Sequence, residues 1–152
     1  QATRQRTWNH SVESIYDAVR DALLHPEARM VIPPSIENSK FVSEYRKLHL
    51  ALLDLYQELV DRGIPKNEAI GFLPHSLKIY DWVHVNGWNA IHSIGKRTCT
   101  EAQWEIRSIA RKMAQDIKEA IPAFKEWAEP QCITYGKCPE LKDCGYYKKK
   151  NN

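Results

Sequence analysis

The clearest pattern in the chain lies between residues 41 and 59. Phe41, Tyr45, Leu48, Leu52, Tyr56 and Leu59 recur at three- and four-residue steps, the spacing that places side chains on one face of an α-helix. Gly63-Ile64-Pro65 follows, with a glycine suited to a left-handed helix end and a proline that cannot extend the helix. Thr100-Glu101-Ala102-Gln103 has the form of a capping box for another helix. Ile106, Ile109, Ala110, Met113, Ile117 and Ile121 would be its buried stripe, stopped by Pro122. Asn86 is placed to cap a helix running to Arg97. Lys66 to Phe72 predicts a short helix ending near Pro74.

Strand signals are weaker. Residues 1–8 alternate loosely, and Arg29 to Ile32 is a short apolar stretch stopped by Pro33-Pro34. Ile79, Asp81, Val83 and Val85 alternate with Tyr80, Trp82 and His84, which suits a strand or an extended connection. The expected class is a helix-rich α+β fold, without repeats or low-complexity linkers.

Length and composition sharpen this only a little. A chain of 152 residues with 27% charged residues is a globular composition, read as one domain. The net charge of +3 permits an anionic ligand without requiring nucleic acid, and Lys148-Lys149-Lys150 accounts for that excess as a frayed basic tail. No nucleic-acid partner is expected, since no groove-reading motif is present. No apolar run is long enough for a membrane span. Gln1 opens inside a polar motif, so a preceding segment is expected. Cys132, Cys138 and Cys144 stand at wider intervals than zinc clips use, and Cys99 is far away in sequence. They read as ordinary thiols of a cytoplasmic protein, with a metal or disulfide as the alternative and no metal ligand assigned.

Two segments carry the candidate chemistry. Gln1 to Ser14 includes Arg4, Gln5 and Arg6, and alternate arginines on a strand can reach phosphate oxygens from one side. A charged, exposed strand face would look the same. Asn86 to Arg97 is the second, with Trp88, His92 and Arg97 on one helix. Taken singly, His92 reads as a core histidine and Arg97 as a cation complementing the helix dipole.

Together and in this order, the two segments resemble the signature of the flavin-dependent thymidylate synthases. Arg4-Gln5-Arg6, Asn9, Ser11, Ser14 and Tyr16 fall on the family's first motif. Asn86 to Ala90 and Lys96-Arg97 fall on its second, and Ala102-Gln103-Trp104-Glu105-Ile106-Arg107 matches a downstream stretch. Leu73-Pro74 and Gly63-Ile64-Pro65 fit as well. The resemblance covers residues 1 to about 145, read as the C-terminal two thirds of the family fold with its small antiparallel sheet. Residues 146–152 are left as a tail.

The resemblance implies roles by position. Arg4, Gln5, Arg6, Asn86, Trp88 and His92 would contact FAD. Gln1, Arg4, Ser14 and Arg97 would contact a pyrimidine deoxynucleotide monophosphate, and Arg97 would be the catalytic group, holding the uracil ring as its N3 anion. NADPH and methylenetetrahydrofolate would be co-substrates, and the sites would be shared between subunits of a homotetramer. Gln103, Glu105 and Arg107 look architectural.

The departures bear on the substrate. Gln5 replaces a histidine, Trp88 an arginine, and Tyr16 and Ile70 stand where arginines would grip phosphate. Arg20 or Lys78 could replace those cations. The reading is thymidylate synthesis. The alternatives are an enzyme modifying another pyrimidine nucleotide, for example by hydroxymethylation, or a non-catalytic nucleotide-binding or assembly module.

Overall fold

A computed structural model of the chain describes residues 8–141 and 143–151, the last three without their side chains. Two compact units are present, His10–Trp82 and a second in which Trp8 and Asn9 join the described residues from Val83 onward. Gln1, Arg4, Gln5 and Arg6, with the strand expected there, lie outside the described residues.

Strand β1 (Asn9–Val12) pairs with β2 (Asp81–His84) in a two-stranded antiparallel sheet. Helices α1 (Ile15–Leu24), α2 (Pro26–Arg29), α3 (Pro34–Glu37), α4 (Val42–Asp61) and α5 (Lys66–Ala69) belong to the unit His10–Trp82, and a 3₁₀ turn, Ile70–Phe72, follows α5. The helix read over residues 41–59 is α4, and Gly63 takes the left-handed conformation, φ 89°, that its sequence predicts. Its buried face is rotated from the predicted one. His49, Leu53 and Tyr56 are buried, whereas Phe41 and Leu48 are exposed. Leu53 and Tyr56 join Val19, Ala22 and Ala69 in the core of this unit. Each large side chain there contributes about 1.5–3 kcal/mol of burial. Met30, in the stretch read as apolar, makes an isolated antiparallel bridge with Leu77.

The other unit holds α6 (Gly87–Arg97), α7 (Trp104–Ala120), a 3₁₀ turn Pro122–Phe124, α8 (Gln131–Thr134) and α9 (Tyr146–Asn151). Asn86 caps α6 as predicted, its Oδ1 accepting from the Asn89 N–H at 2.9 Å. The capping box is not formed. Gln103 is the N-cap of α7 without a side-chain bond, so the helix starts later than Thr100 would dictate. Ile106, Ala110 and Ala114 are its buried face, while Ile109 and Ile121 are exposed. Ile94, Ala114 and Ala128 form the core, with Met113 and Ile117 packed against it. Close approach of α6 to α8 requires Gly95, because a Cβ there would lie 2.8 Å from Gln131 Cγ. The stretch read as a basic tail carries α9.

Candidate functional site

In the unit His10–Trp82, the chain turns from β1 into α1 at Glu13-Ser14. Ser14 caps α1, its Oγ accepting from the Asp17 N–H at 3.4 Å. Ser14, Tyr16 and Ile70 line one open cleft of about 240 Å³ together with Tyr56, Lys66 and Asn67. The three positions tied to phosphate by sequence are thus brought together. The Lys66 ammonium lies 3.7 Å from the Tyr16 ring centroid and the Arg20 guanidinium 5.8 Å from it, within the range of cation–π attraction. Burial and the neighbouring Tyr16 push the Tyr56 hydroxyl pKa upward, so it remains a proton donor at neutral pH.

Lys66 was missed in the sequence, although a signal exists. It sits four residues before Ile70, the spacing that makes two residues neighbours on a helix surface. Of the two cations expected to substitute, neither lines this cleft, but Arg20 lies 5.8 Å from the ring centroid of Tyr16, which does. The Lys78 ammonium is instead 5.5 Å from the Tyr80 ring centroid.

Arg29 holds the turn before Ser14. It is buried, with 6% of its surface exposed. Its Nη1 and Nη2 donate to the Glu13 carboxylate at 2.5 and 3.2 Å, its Nε donates to Asp21 Oδ2 at 2.5 Å, and its guanidinium lies 4.4 Å from the Tyr80 ring centroid. Burial alone would raise the Glu13 pKa. The Arg29 hydrogen bond, the Tyr80 N–H and the Arg29 charge outweigh it and hold Glu13 below the usual carboxylate range. The guanidinium, bonded first to Glu13 and then to Asp21, is still harder to deprotonate than usual. Sequence reading took Arg29 as the start of an apolar stretch because pairing cannot be seen in a one-dimensional pattern.

In the other unit, Trp88 and His92 stand one turn apart on α6 and line a cleft of about 50 Å³ with Gly95, Trp127, Gln131 and Tyr135. Trp88 is 71% exposed and Trp127 is 50% exposed, so aromatic surface faces outward here. Arg97, in the last turn of α6, is half-buried and does not line this cleft. Asn86 also lies outside it, its carbonyl oxygen engaged as the cap. Trp8 is buried against α6, with its indole N–H donating to Ser93 Oγ at 3.2 Å. That bond fixes Trp8, in the middle of the first sequence segment, on the helix of the second. Cys99, read as remote from the other cysteines, lines a separate cleft with all three of them.

The class defined by these features is a helix-rich α+β protein, with one cleft lined by Ser14, Tyr16 and Lys66 and another by the exposed rings of Trp88 and Trp127. Comparison with known proteins identifies it further. Residues 1–123 match the family model described as thymidylate synthase complementing protein, and the chain belongs to that family. Similar proteins include the flavin-dependent thymidylate synthases of Pyrococcus furiosus, 35% identical over 119 residues, and Pyrococcus horikoshii, 41% identical over 120 residues. Each alignment covers 75% of this chain and 49% of the relative. That of Geobacter sulfurreducens is 36% identical over 111 residues, 72% of this chain and 47% of the relative. The chain therefore spans about half the length of the curated relatives it matches.

Proposed function

We propose that this chain is part of an FAD-dependent enzyme that transfers a one-carbon unit from methylenetetrahydrofolate to C5 of deoxyuridine monophosphate, with NADPH as reductant. The observation that carries this reading is the convergence of Ser14, Tyr16 and Ile70 in one cleft beside Lys66. In a chain of this family, Ser14 and Tyr16 lie far in sequence from Ile70, and their sharing of one cleft supports a phosphate site there. Lys66 and Arg20 replace the charge that Tyr16 and Ile70 do not supply. Each charged hydrogen bond to phosphate contributes about 1.5–3 kcal/mol where water is excluded, and less in an open cleft.

The α6 cleft supports the flavin part of the reading. Exposed Trp88 and Trp127 offer ring faces, and His92, Gln131 and Thr134 offer polar atoms at its edge. When bound, the flavin supplies the hydride that completes the methyl group. Trp88 orients the ring system by stacking and keeps water from one face. Arg97 presents a fixed charge to the uracil ring, stabilising its N3 anion and so raising electron density at C5 without an enzymic nucleophile. At about 50 Å³ the cleft is only part of a wall, far short of the roughly 300 Å³ at which ligand pockets begin. This supports a site completed by other subunits, as in a homotetramer acting in the cytoplasm.

The altered phosphate cleft favours one second reading, an enzyme of the same kind acting on another pyrimidine nucleotide. The test is to load the protein with FAD, then supply methylenetetrahydrofolate, NADPH and one pyrimidine monophosphate at a time. Thymidylate formed from deoxyuridylate is the expected product. A hydroxymethylated or otherwise modified product selects the second reading. A colourless protein that takes up no flavin refutes both and leaves a non-catalytic module.

A further inference from the structure

The chain has four cysteines, and all four line one cleft. Cys99 follows the end of α6, Cys132 lies in α8, and Cys138 and Cys144 lie between α8 and α9. None is in a disulfide. Thr100 Oγ1 is buried and has no hydrogen-bond partner among the described residues, and Thr100 lines the same cleft. A buried hydroxyl left without a partner costs about 1–3 kcal/mol.

Ordinary thiol packing accounts for few of these features. Buried cysteines behave as small apolar residues, but Cys144 is exposed and the Thr100 hydroxyl is orphaned. A reactive thiol needs a neighbouring cation, and no Lys, Arg or His is among the described residues that line the cleft. Four thiolates are the full ligand set of a structural zinc ion or of an iron–sulfur cluster. A ligated sulfur would also give the Thr100 O–H an acceptor.

We propose that Cys99, Cys132, Cys138 and Cys144 are the ligands of a thiophilic metal centre that ties the segment after α7 to the end of α6. Three of the four lie past residue 123, where the family match ends. In the described structure, no three metal-binding side chains are yet gathered around one ion position. Binding closes that gap by side-chain rotation and movement of the turns at Gly136 and Gly145, both with positive φ, 68° and 75°. Zinc draws the sulfurs to about 2.3 Å from one ion, while a cluster spans a wider opening. The same thiolates serve either, and colour tells them apart.

The experiment uses the full chain, purified without oxygen, loaded in parallel with zinc or with iron and sulfide, and desalted. Metal and inorganic sulfide are counted per chain, and thiols are titrated under native conditions. Expected are one zinc ion, or a brown iron–sulfide species, per chain, with thiols unreactive until a chelator is added. Cys99→Ser and Cys144→Ser should each lose most of the metal. If a variant fails to fold, the wild type decides, because thiol modification must release metal in step. Four freely titrating thiols after both loadings overturn the proposal. So does a disulfide, or full metal retention in either folded variant.

Discussion

Replacing Glu13 by Gln removes one of two carboxylates that balance the buried Arg29. The Gln oxygen can still accept from Arg29 Nη1 and the Tyr80 N–H. Its amide, however, turns a donor toward Arg29 Nη2, where the carboxylate now accepts at 3.2 Å. Breaking a buried pair outright costs about 3–5 kcal/mol. Asp21 remains at 2.5 Å from Nε but is 41% exposed, so it compensates in part, and a loss of about 2–3 kcal/mol is expected. With a urea slope of about 2 kcal/mol/M for a chain of this size, the midpoint should fall by roughly 1–1.5 M. Far-ultraviolet circular dichroism measures this directly. Because the folded state lowers the Glu13 pKa, the native carboxylate binds a proton less readily than the unfolded one. Its contribution is complete above the ordinary value near 4.5 and is lost as pH falls through the lower folded value. The gap between wild type and variant should therefore shrink in acid. A midpoint shift below about 0.3 M at pH 7, or the same shift at pH 7 and pH 3, would refute the reasoning.

Lys66→Ala should weaken deoxyuridylate binding about fivefold, or ~1 kcal/mol, because an exposed cation is partly screened. Deoxyuridine, which lacks the phosphate, should be unaffected, and equal losses for both ligands by calorimetry would remove Lys66 from the phosphate site. Tyr16→Arg with Ile70→Arg should fold, since Ile70 is 41% exposed, and should tighten deoxyuridylate about tenfold; no gain would mean that the cleft does not take the phosphate. Arg97→Ala should reduce turnover by about a hundredfold while leaving flavin uptake near normal, and unchanged turnover would give Arg97 a helix-end role alone. His49 is buried with Nδ1 2.6 Å from Ser76 Oγ and Nε2 unpartnered, and burial lowers its pKa. The folded state thus favours neutral imidazole, so stability should fall as pH drops from about 6.5 toward the lower folded value. His49→Gln should lose that dependence, and identical pH profiles would contradict it.

Much of this molecule can be read along the chain. The helix spacing in α4 and α7, the Asn86 cap and the Gly63 turn are local, set by residues within a turn or two of each other, and so they appear in the sequence. The family signature is also linear, and the match over residues 1–123 bears it out. What the sequence could not decide was where each helix turns its apolar side. In α4, contact with Val19, Ala22 and Ala69 buried Leu53, which the predicted stripe lacked, beside Tyr56, which it contained, and left Phe41 and Leu48 exposed. The Thr100 capping box was a sound local option that lost to a later helix start at Gln103. Arg29 looked like the edge of an apolar run because its partners, Glu13 and Asp21, come from the preceding turn and helix. Lys66 beside Tyr16 is a contact between residues far apart in sequence, and Cys99 shares a cleft with three cysteines more than thirty residues later. Periodicity records which face a residue occupies on its own element. Only the packing of one element on another decides which charge, ring or thiol it meets.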